Sequence, residues 1–217
     1  MSRDFDAIIF QNNSSLELGK RLSLKAKKIF LIQPGIDFKK FKAGRKEDFV
    51  LFVGSINMDK ALVKLKGLEY LIEAARKLPN IKFVVVGGGK GLEEFKKIAP
   101  KNVIFKGVLK GKKLLKLYSQ ALIFCLPSLS EGFGLSILEA MASGCAIIST
   151  VDLGQADKII ERKNPEEIAK RIGYLIKKRE IAIQAGKKNR ELVKKYTWKK
   201  FESKLMEIFK LIFKEKR

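Results

Sequence analysis

The segment PSLSEGFGLSILEAMASG, residues 127–144, holds two carboxylates in unlike settings, Glu131 and Glu139. Glu131 stands in a glycine-rich turn that follows the apolar run ALIFCLP, residues 121–127. Gly132 and Gly134 let the backbone come close to a ligand there, because glycine has no Cβ to hold it away. The turn leads into a helix expected over 134–143. The first N–H groups of a helix lack intrahelical acceptors, and its dipole is positive at that end. Such an end suits an anion, and a diphosphate in particular. At the rim of that turn, Glu131 is placed to accept hydrogen bonds from hydroxyls. The plainer reading is an acid that only favours the helix dipole.

Glu139 lies somewhat more than one turn into the helix, in the company of Leu135, Leu138, Ala140, Ala142 and Ser143. A carboxylate in apolar surroundings has to be paired or open to a cleft. From that position it would reach the ribose hydroxyls of a nucleotide whose phosphates sit at the helix start. The alternative is a buried salt bridge to a lysine. Lys66, ahead of Gly67 and a helix expected over 67–78, is a candidate to neutralise a departing diphosphate. Alone it carries little weight in a chain with 46 Lys+Arg. One acid for sugar hydroxyls, glycines for phosphate and a second acid for ribose together describe a reader of sugar nucleotides.

These residues need a frame to hold them. Apolar strand-like runs alternate with amphipathic helical ones: DAIIF, KKIFLIQ, FVLFVGS, IKFVVVG, NVIFKG, ALIFCLP and CAIIST are the strands. Leu68, Leu71, Ile72, Ala75 and Leu78 form one stripe of an intervening helix. From 165 onward the chain reads as helical, in pieces 165–178, 180–195 and 197–213. The pattern predicts an α/β fold, a Rossmann-like doubly wound parallel sheet with a helical C-terminus. Ligands of such sheets bind beyond the carboxyl ends of the strands, where Gly54, Gly87 to Gly91, Gly107 and Gly132/Gly134 fall.

Composition narrows the chemistry. The 217 residues carry a formal net charge of +23 and no histidine. The missing histidine excludes His-based metal sites, Ser-His-Asp triads and histidine general bases. The basic balance suits a polyanionic partner: nucleic acid, an anionic lipid surface or a phosphate-bearing substrate. A basic nucleic-acid-binding α/β protein is therefore an alternative, although aromatic strand motifs, zinc-ligand spacing and a recognition helix are absent from the sequence. Cys125 and Cys145 flank apolar runs and read as buried thiols of a reducing compartment. No apolar run approaches a membrane span and the start has no leader pattern, so a cytoplasmic location is expected. The triple glycine of VVVGGGKG departs from G-x-G-x-x-G, and Lys106 stands where a dinucleotide site would want an acid. The basic tail holds an apolar stripe of Trp198, Phe201, Leu205, Ile208, Phe209 and Ile212. It would suit packing across the domain or peripheral contact with an anionic membrane, which extends the expected location to the inner membrane face.

Residues 127–144 resemble the signature of the retaining glycosyltransferases of family 4 (glycosyl transferases group 1), P-S-x-x-E-G-F-G-L-x-x-L-E-A-M-A-x-G-x-P. Cys145-Ala146 replaces its last two positions. IQPGIDFKKF (32–41), KGLEYLIEAARKLPNIKFVVVGGG and YTWKKFESKLMEIF are similar to further segments of that family. The resemblance implies the carboxyl-terminal, donor-binding half of a GT-B enzyme, with a UDP- or GDP-sugar as substrate and neither cofactor nor metal. It implies hexosyl transfer to an acceptor hydroxyl with retention of configuration, the acceptor being a sugar, a glycan or a lipid-linked molecule. A non-catalytic sugar-nucleotide-binding remnant is the other outcome it allows.

By the same resemblance, Glu131 would contact donor-sugar hydroxyls and Lys66 would stabilise the leaving diphosphate. The backbone of Phe133, Gly134 and Leu135 would hold the phosphates, and Glu139 would bind ribose. Gly54 and Gly88 would permit close approach, while Gly107 and Val108 would lie near the base. Ser55 takes the place of the family's usual arginine, with Lys60, Lys64 or Lys90 as candidate substitutes. The segment VDLGQADKIIERKNPEE departs from the family's acidic pattern, so a loop around the donor is expected to be reshaped. Residues 1–25 resemble the last strand and helix of an amino-terminal, acceptor-binding domain that is otherwise missing, and 26–217 the nucleotide-sugar-binding domain with its C-terminal helices.

Overall fold

A computed structural model describes residues 5–56, 66–155 and 159–214. The chain forms two compact units. The larger spans Phe38–Lys194; the smaller combines Met1–Asp37 with Lys195–Arg217.

The larger unit is built on five parallel strands: β3 (Glu47–Val53), β4 (Lys82–Val86), β5 (Val103–Phe105), β6 (Ala121–Leu126) and β7 (Ala146–Ser149). Their order across the sheet is β5-β4-β3-β6-β7. A parallel sheet needs crossovers that cover it, so its strands read as continuous apolar runs. β6 (ALIFCL) and β7 (AIIS) are buried at every residue, and β4 is buried from Phe83 to Val86. Phe52, Phe83 and Phe124 are fully enclosed. Withdrawing a side chain of that size from water is worth about 1.5–3 kcal/mol.

The helices of this unit follow the strands: α2 (Leu68–Arg76), α3 (Leu92–Ile98), α4 (Gly111–Gln120), α5 (Leu135–Ala142), α6 (Pro165–Lys177) and α7 (Arg179–Leu192). Leu68, Leu71, Ile72 and Ala75 of the expected stripe on α2 are buried. α6 starts where the sequence signals it. Pro165 takes the first turn, and the Asn164 side chain accepts from the Glu167 amide at 2.9 Å. The Asn189 side chain of α7 donates to the Cys145 carbonyl at 3.0 Å, which anchors that helix at the entry to β7. Both cysteines are free and buried.

In the smaller unit, β1 (Phe5–Phe10) pairs in parallel with β2 (Ala26–Leu31) across α1 (Asn13–Arg21). α1 opens on a capping box in which Asn12 accepts from the Ser15 amide at 2.7 Å. The C-terminal helix α8 (Trp198–Lys214) belongs to this unit. Its entry is tied to the segment after β2: the Ile36 amide donates to the Tyr196 carbonyl at 3.1 Å. Gly35 lies so near the chain there that a Cβ would stand 2.1 Å from the Trp198 nitrogen. β2 and α8 leave between them a cavity of 390 Å³, lined by Phe30, Leu31, Ile32, Ile208 and Leu211 with Lys204 and Glu207.

Candidate functional site

The strand order contains one reversal. From β3 the chain moves outward through β4 to β5, then crosses back to place β6 on the other side of β3. Loops leaving β3 and β6 therefore diverge and open a crevice at their carboxyl ends, the usual ligand site of a doubly wound sheet. Gly54 and Ser55 follow β3, and the segment Pro127–Gly134 follows β6.

Glu131 and Lys66 meet at this crossover. The Lys66 Nζ lies 2.6 Å from both carboxylate oxygens of Glu131, a bidentate ion pair between residues 65 positions apart. The Ser128 hydroxyl donates to Glu131 Oε2 at 3.0 Å. Glu131 is largely buried, with 10% of its side chain exposed, while Lys66 keeps 27%. A charge-assisted pair this short, half enclosed, fixes both groups at the mouth of the crevice.

Close backbone contacts hold the loops that carry them. Gly67 opens α2 with φ at +66°, and a Cβ on it would fall 1.9 Å from the Pro127 carbonyl oxygen. Only glycine fits between the start of α2 and the loop after β6. The turns after β3, β4 and β5 are laced in the same way. The Gly54 amide donates to the Val86 carbonyl at 3.0 Å, the Ile56 amide to Gly88 at 2.9 Å, and the Gly87 amide to Gly107 at 2.9 Å. A Cβ on Gly88 would press on Val108 Cγ2 at 2.7 Å. Val108 itself is 65% exposed beyond β5, open to whatever approaches that edge. Ser55 is exposed, as is Lys90 in the turn after β4. Lys60 and Lys64 lie outside the described residues.

The helix that follows, α5, begins at Leu135, with Gly134 as its left-handed cap at φ +91°. Gly134 is buried and adjoins Glu131: a Cβ on the glycine would stand 3.5 Å from Glu131 Cγ. Phe133 turns inward and is 3% exposed; Leu135 turns outward. α5 thus begins beside Glu131, and the N-terminus of a helix suits negative charge.

Glu139 is held differently. Its Oε2 accepts from the Tyr118 hydroxyl at 2.7 Å, and that is its hydrogen bond among the described residues. The lysine salt bridge that the sequence left open is therefore not formed there; a phenol stands in its place. Burial pushes the Glu139 carboxyl above the ordinary range for glutamate, and the Tyr118 hydrogen bond partly opposes that rise. Burial and the adjoining carboxylate together push the Tyr118 hydroxyl well up, so it keeps its proton and donates.

Behind this pair lies a third group of polar atoms. Lys46 Nζ donates to the Ser143 carbonyl at 2.7 Å, capping the C-terminus of α5, and lies 3.7 Å from Cys145 Sγ. Burial pulls the Lys46 ammonium down from its usual value.

The structure brings Glu131, Lys66, Gly54 and Gly134 together, and joins Gly88, Gly107 and Val108 along the neighbouring strand ends. Glu139 shares α5 with this cluster but makes its contact with Tyr118. Sequence reasoning overlooked Ser128 and Tyr118. Ser128 stood inside the signature segment, and Tyr118 falls on an apolar stripe of α4 with Leu114 and Leu115. The stripe marks Tyr118 as inward-facing but does not disclose its partner. Thr150 and Ser149 tie the loop after β7 to this region through the Ser128 and Leu126 carbonyls. The departing segment begins directly after them; within it, Gln155 closes a tight turn on Val151 and Leu153.

Known proteins share this fold. Residues 35–192 match the family described as glycosyl transferases group 1. An uncharacterized glycosyltransferase of Methanocaldococcus jannaschii is 29% identical over 185 residues, 76% of this chain and 45% of the relative. A sulfoquinovosyl transferase of Arabidopsis thaliana is 31% identical over 72% of this chain and 32% of its own length. The chain thus spans less than half the length of either curated relative. Among solved structures, a sucrose-phosphate synthase from Thermosynechococcus elongatus superposes with a TM-score of 0.82 at 22% identity, covering 97% of this chain and 59% of that one. The C-terminal domain of a glycosyl transferase group 1 protein from Francisella tularensis gives 0.59 at 23% identity, over 74% of this chain and 97% of the domain. The architecture is that of the Rossmann-like C-terminal domain of GT-B proteins, and with most of its length matched, this chain belongs to the glycosyl transferases group 1 family.

Proposed function

We propose that the chain is the donor-binding half of a glycosyltransferase of the family-4 type. It would move a hexosyl group from a UDP- or GDP-sugar to an acceptor hydroxyl with retention of configuration. The observation that carries this reading is the Lys66–Glu131 pair at the β3/β6 crossover, set before the N-terminus of α5. The two charges are set against each other. A diphosphate arriving at the amides of Phe133, Gly134 and Leu135 takes up the Lys66 ammonium, and Glu131 is released to accept from donor-sugar hydroxyls. Lys66 and the helix end then share the negative charge that grows on the diphosphate as the anomeric bond breaks. The acceptor hydroxyl attacks on the face that the diphosphate leaves, and its proton passes to the departing phosphate oxygen. Glu139 receives the ribose, Gly54 and Gly88 admit the nucleotide closely, and Gly107 and Val108 border the base. No step requires a metal.

The acceptor, whether sugar, glycan or lipid-linked, is assigned to a separate amino-terminal domain of which residues 1–25 are the last strand and helix. Closing that domain over the donor excludes water and orients the nucleophile. Calorimetric titration of the chain with UDP, GDP and their hexose derivatives tests the donor half. Lys66→Ala is expected to weaken diphosphate binding by roughly tenfold or more, the size of a lost charge-assisted contact. Glu131→Gln is expected to weaken the sugar nucleotides and to spare the free diphosphates. Diphosphate affinity indifferent to Lys66 would sink the reading.

A further inference from the structure

We propose that Tyr118 is a positioning residue for Glu139, whose hydroxyl aims the carboxylate so that it selects nucleotides bearing ribose hydroxyls. The proposal rests on the ribose role given to Glu139 above and adds the group that makes the role work.

The geometry is specific. The Tyr118 hydroxyl reaches Glu139 Oε2 at 2.7 Å across 21 residues, from the last turn of α4 to the second turn of α5. The tyrosine is wholly buried and cannot drift. Phe41 meets its ring edge-on at 6.1 Å and 79°, and Phe124 lies tilted against it at 6.0 Å. Its own carbonyl accepts from Cys145 Sγ at 3.3 Å, so backbone and ring are both pinned. A glutamate without such a partner would sweep its carboxylate through several rotamers. Fixing it in advance removes that cost from the binding step.

The choice of a phenol matters. A lysine would neutralise Glu139 and turn the pair into a closed structural contact. A hydroxyl occupies one acceptor position of a group that offers about four, and the negative charge stays. The carboxylate remains a strong acceptor, with Oε1 not engaged among the described residues. Vicinal diol hydroxyls are the donors that a single aimed carboxylate recognises best. A phosphate offers this carboxylate no donor, and the N1–H and N2–H pair of a guanine is left in place when the 2′ and 3′ hydroxyls are removed.

The test compares UDP with 2′,3′-dideoxy-UDP, and GDP with 2′,3′-dideoxy-GDP, by calorimetry on the chain as it stands and on three variants. The unaltered chain is expected to prefer the ribose form. Tyr118→Phe is expected to weaken the ribose form by roughly tenfold, one hydrogen bond's worth at a charged acceptor, and to leave the dideoxy form as it was. Glu139→Asp keeps the charge but withdraws it from Tyr118, and should lose the same preference. It also keeps the proposal decidable should Tyr118→Phe fail to fold.

Equal weakening of both forms in Tyr118→Phe would mean that the tyrosine only supports packing, and would overturn the proposal. So would an unchanged preference in Tyr118→Phe, or in Glu139→Asp when that is the variant that folds. Glu139→Gln separates the two layers of inference. If it leaves the ribose preference whole, or if no diphosphate binds at all, the ribose reading of Glu139 fails and the proposal with it. If it abolishes the preference while Tyr118→Phe keeps it, only the positioning role fails.

Discussion

The two units of this chain solve the problem of covering a parallel sheet with very different success. In the larger unit the sheet is sealed even toward one edge: every residue of β6 and of the edge strand β7 is buried. In the smaller one, β1 and β2 carry only half-buried and exposed residues, and none is fully enclosed. Phe5, Ile29 and Leu31 on the strands, with Trp198, Phe209 and Phe213 on α8, leave large apolar surfaces in solvent. Two strands are too few to form an independently stable sheet, and the cavity between β2 and α8 shows that the helix does not fill the space. The larger unit is a domain with its own core, whereas the smaller has the elements of a layered fold without enough layers. The Lys66–Glu131 and Tyr118–Glu139 pairs both sit in the former.

That contrast can be broken by mutation. The largest effect is expected at the sealed core: Phe124→Ala should cost about 3–5 kcal/mol, as for other enclosed aromatic residues. Phe209→Ala, on the open face of α8, should cost less than about 1 kcal/mol. Urea unfolding followed by circular dichroism checks both, and similar costs at the two sites would erase the distinction. Amide hydrogen exchange sharpens it further. Protection should be greatest along β6 and β3 and should fall in β1 and β2, since local opening follows the density of buried contacts. Slow exchange through β1 equal to that of β6 would contradict the contrast.

A smaller effect concerns Glu139, a charge that only the sealed unit could have displaced. Its carboxyl titrates above the range of an unfolded glutamate, so the folded chain holds a proton that the unfolded chain has already lost. Stability should therefore fall as pH rises through the window between those two values, by no more than about 1.4 kcal/mol per pH unit for one proton. Nucleotide affinity should move the opposite way, rising as the carboxylate forms. Both trends should vanish in Glu139→Gln, measured by urea unfolding and by UDP titration across the acid range. A pH profile shared by the variant and the unaltered chain would place the titrating group elsewhere.

Much of this was legible in the chain, for physical reasons that can be named. Buried parallel strands announce themselves as unbroken apolar runs, and ALIFCL, KFVVV and AIIS end within a residue or two of where the pattern put them. Glu131 stood out by its glycines, whereas Lys66, placed before a helix, carried little weight alone among so many basic residues. Their pairing was not legible, because it depends on the crossover that sets β6 beside β3. Tyr118 was hidden for the same reason: a buried tyrosine on an apolar stripe gives no hint of which side chain its hydroxyl will find. Glu139 was expected to be paired or open, and the tertiary packing of α4 on α5 chose a phenol over any of the many lysines. Strand 26–31 pairs with β1 instead of the main sheet, a choice of partner that a single run does not encode.

The contact of Gly67 with the Pro127 carbonyl leaves no room for even one methyl group. The loops that carry the cation and the acid are thus set against each other main chain to main chain, and the 2.6 Å ion pair is built on that contact. Exchanging side chains farther along these loops would leave that spacing unaltered, so the two loops can vary in sequence while the distance between their backbones stays constant.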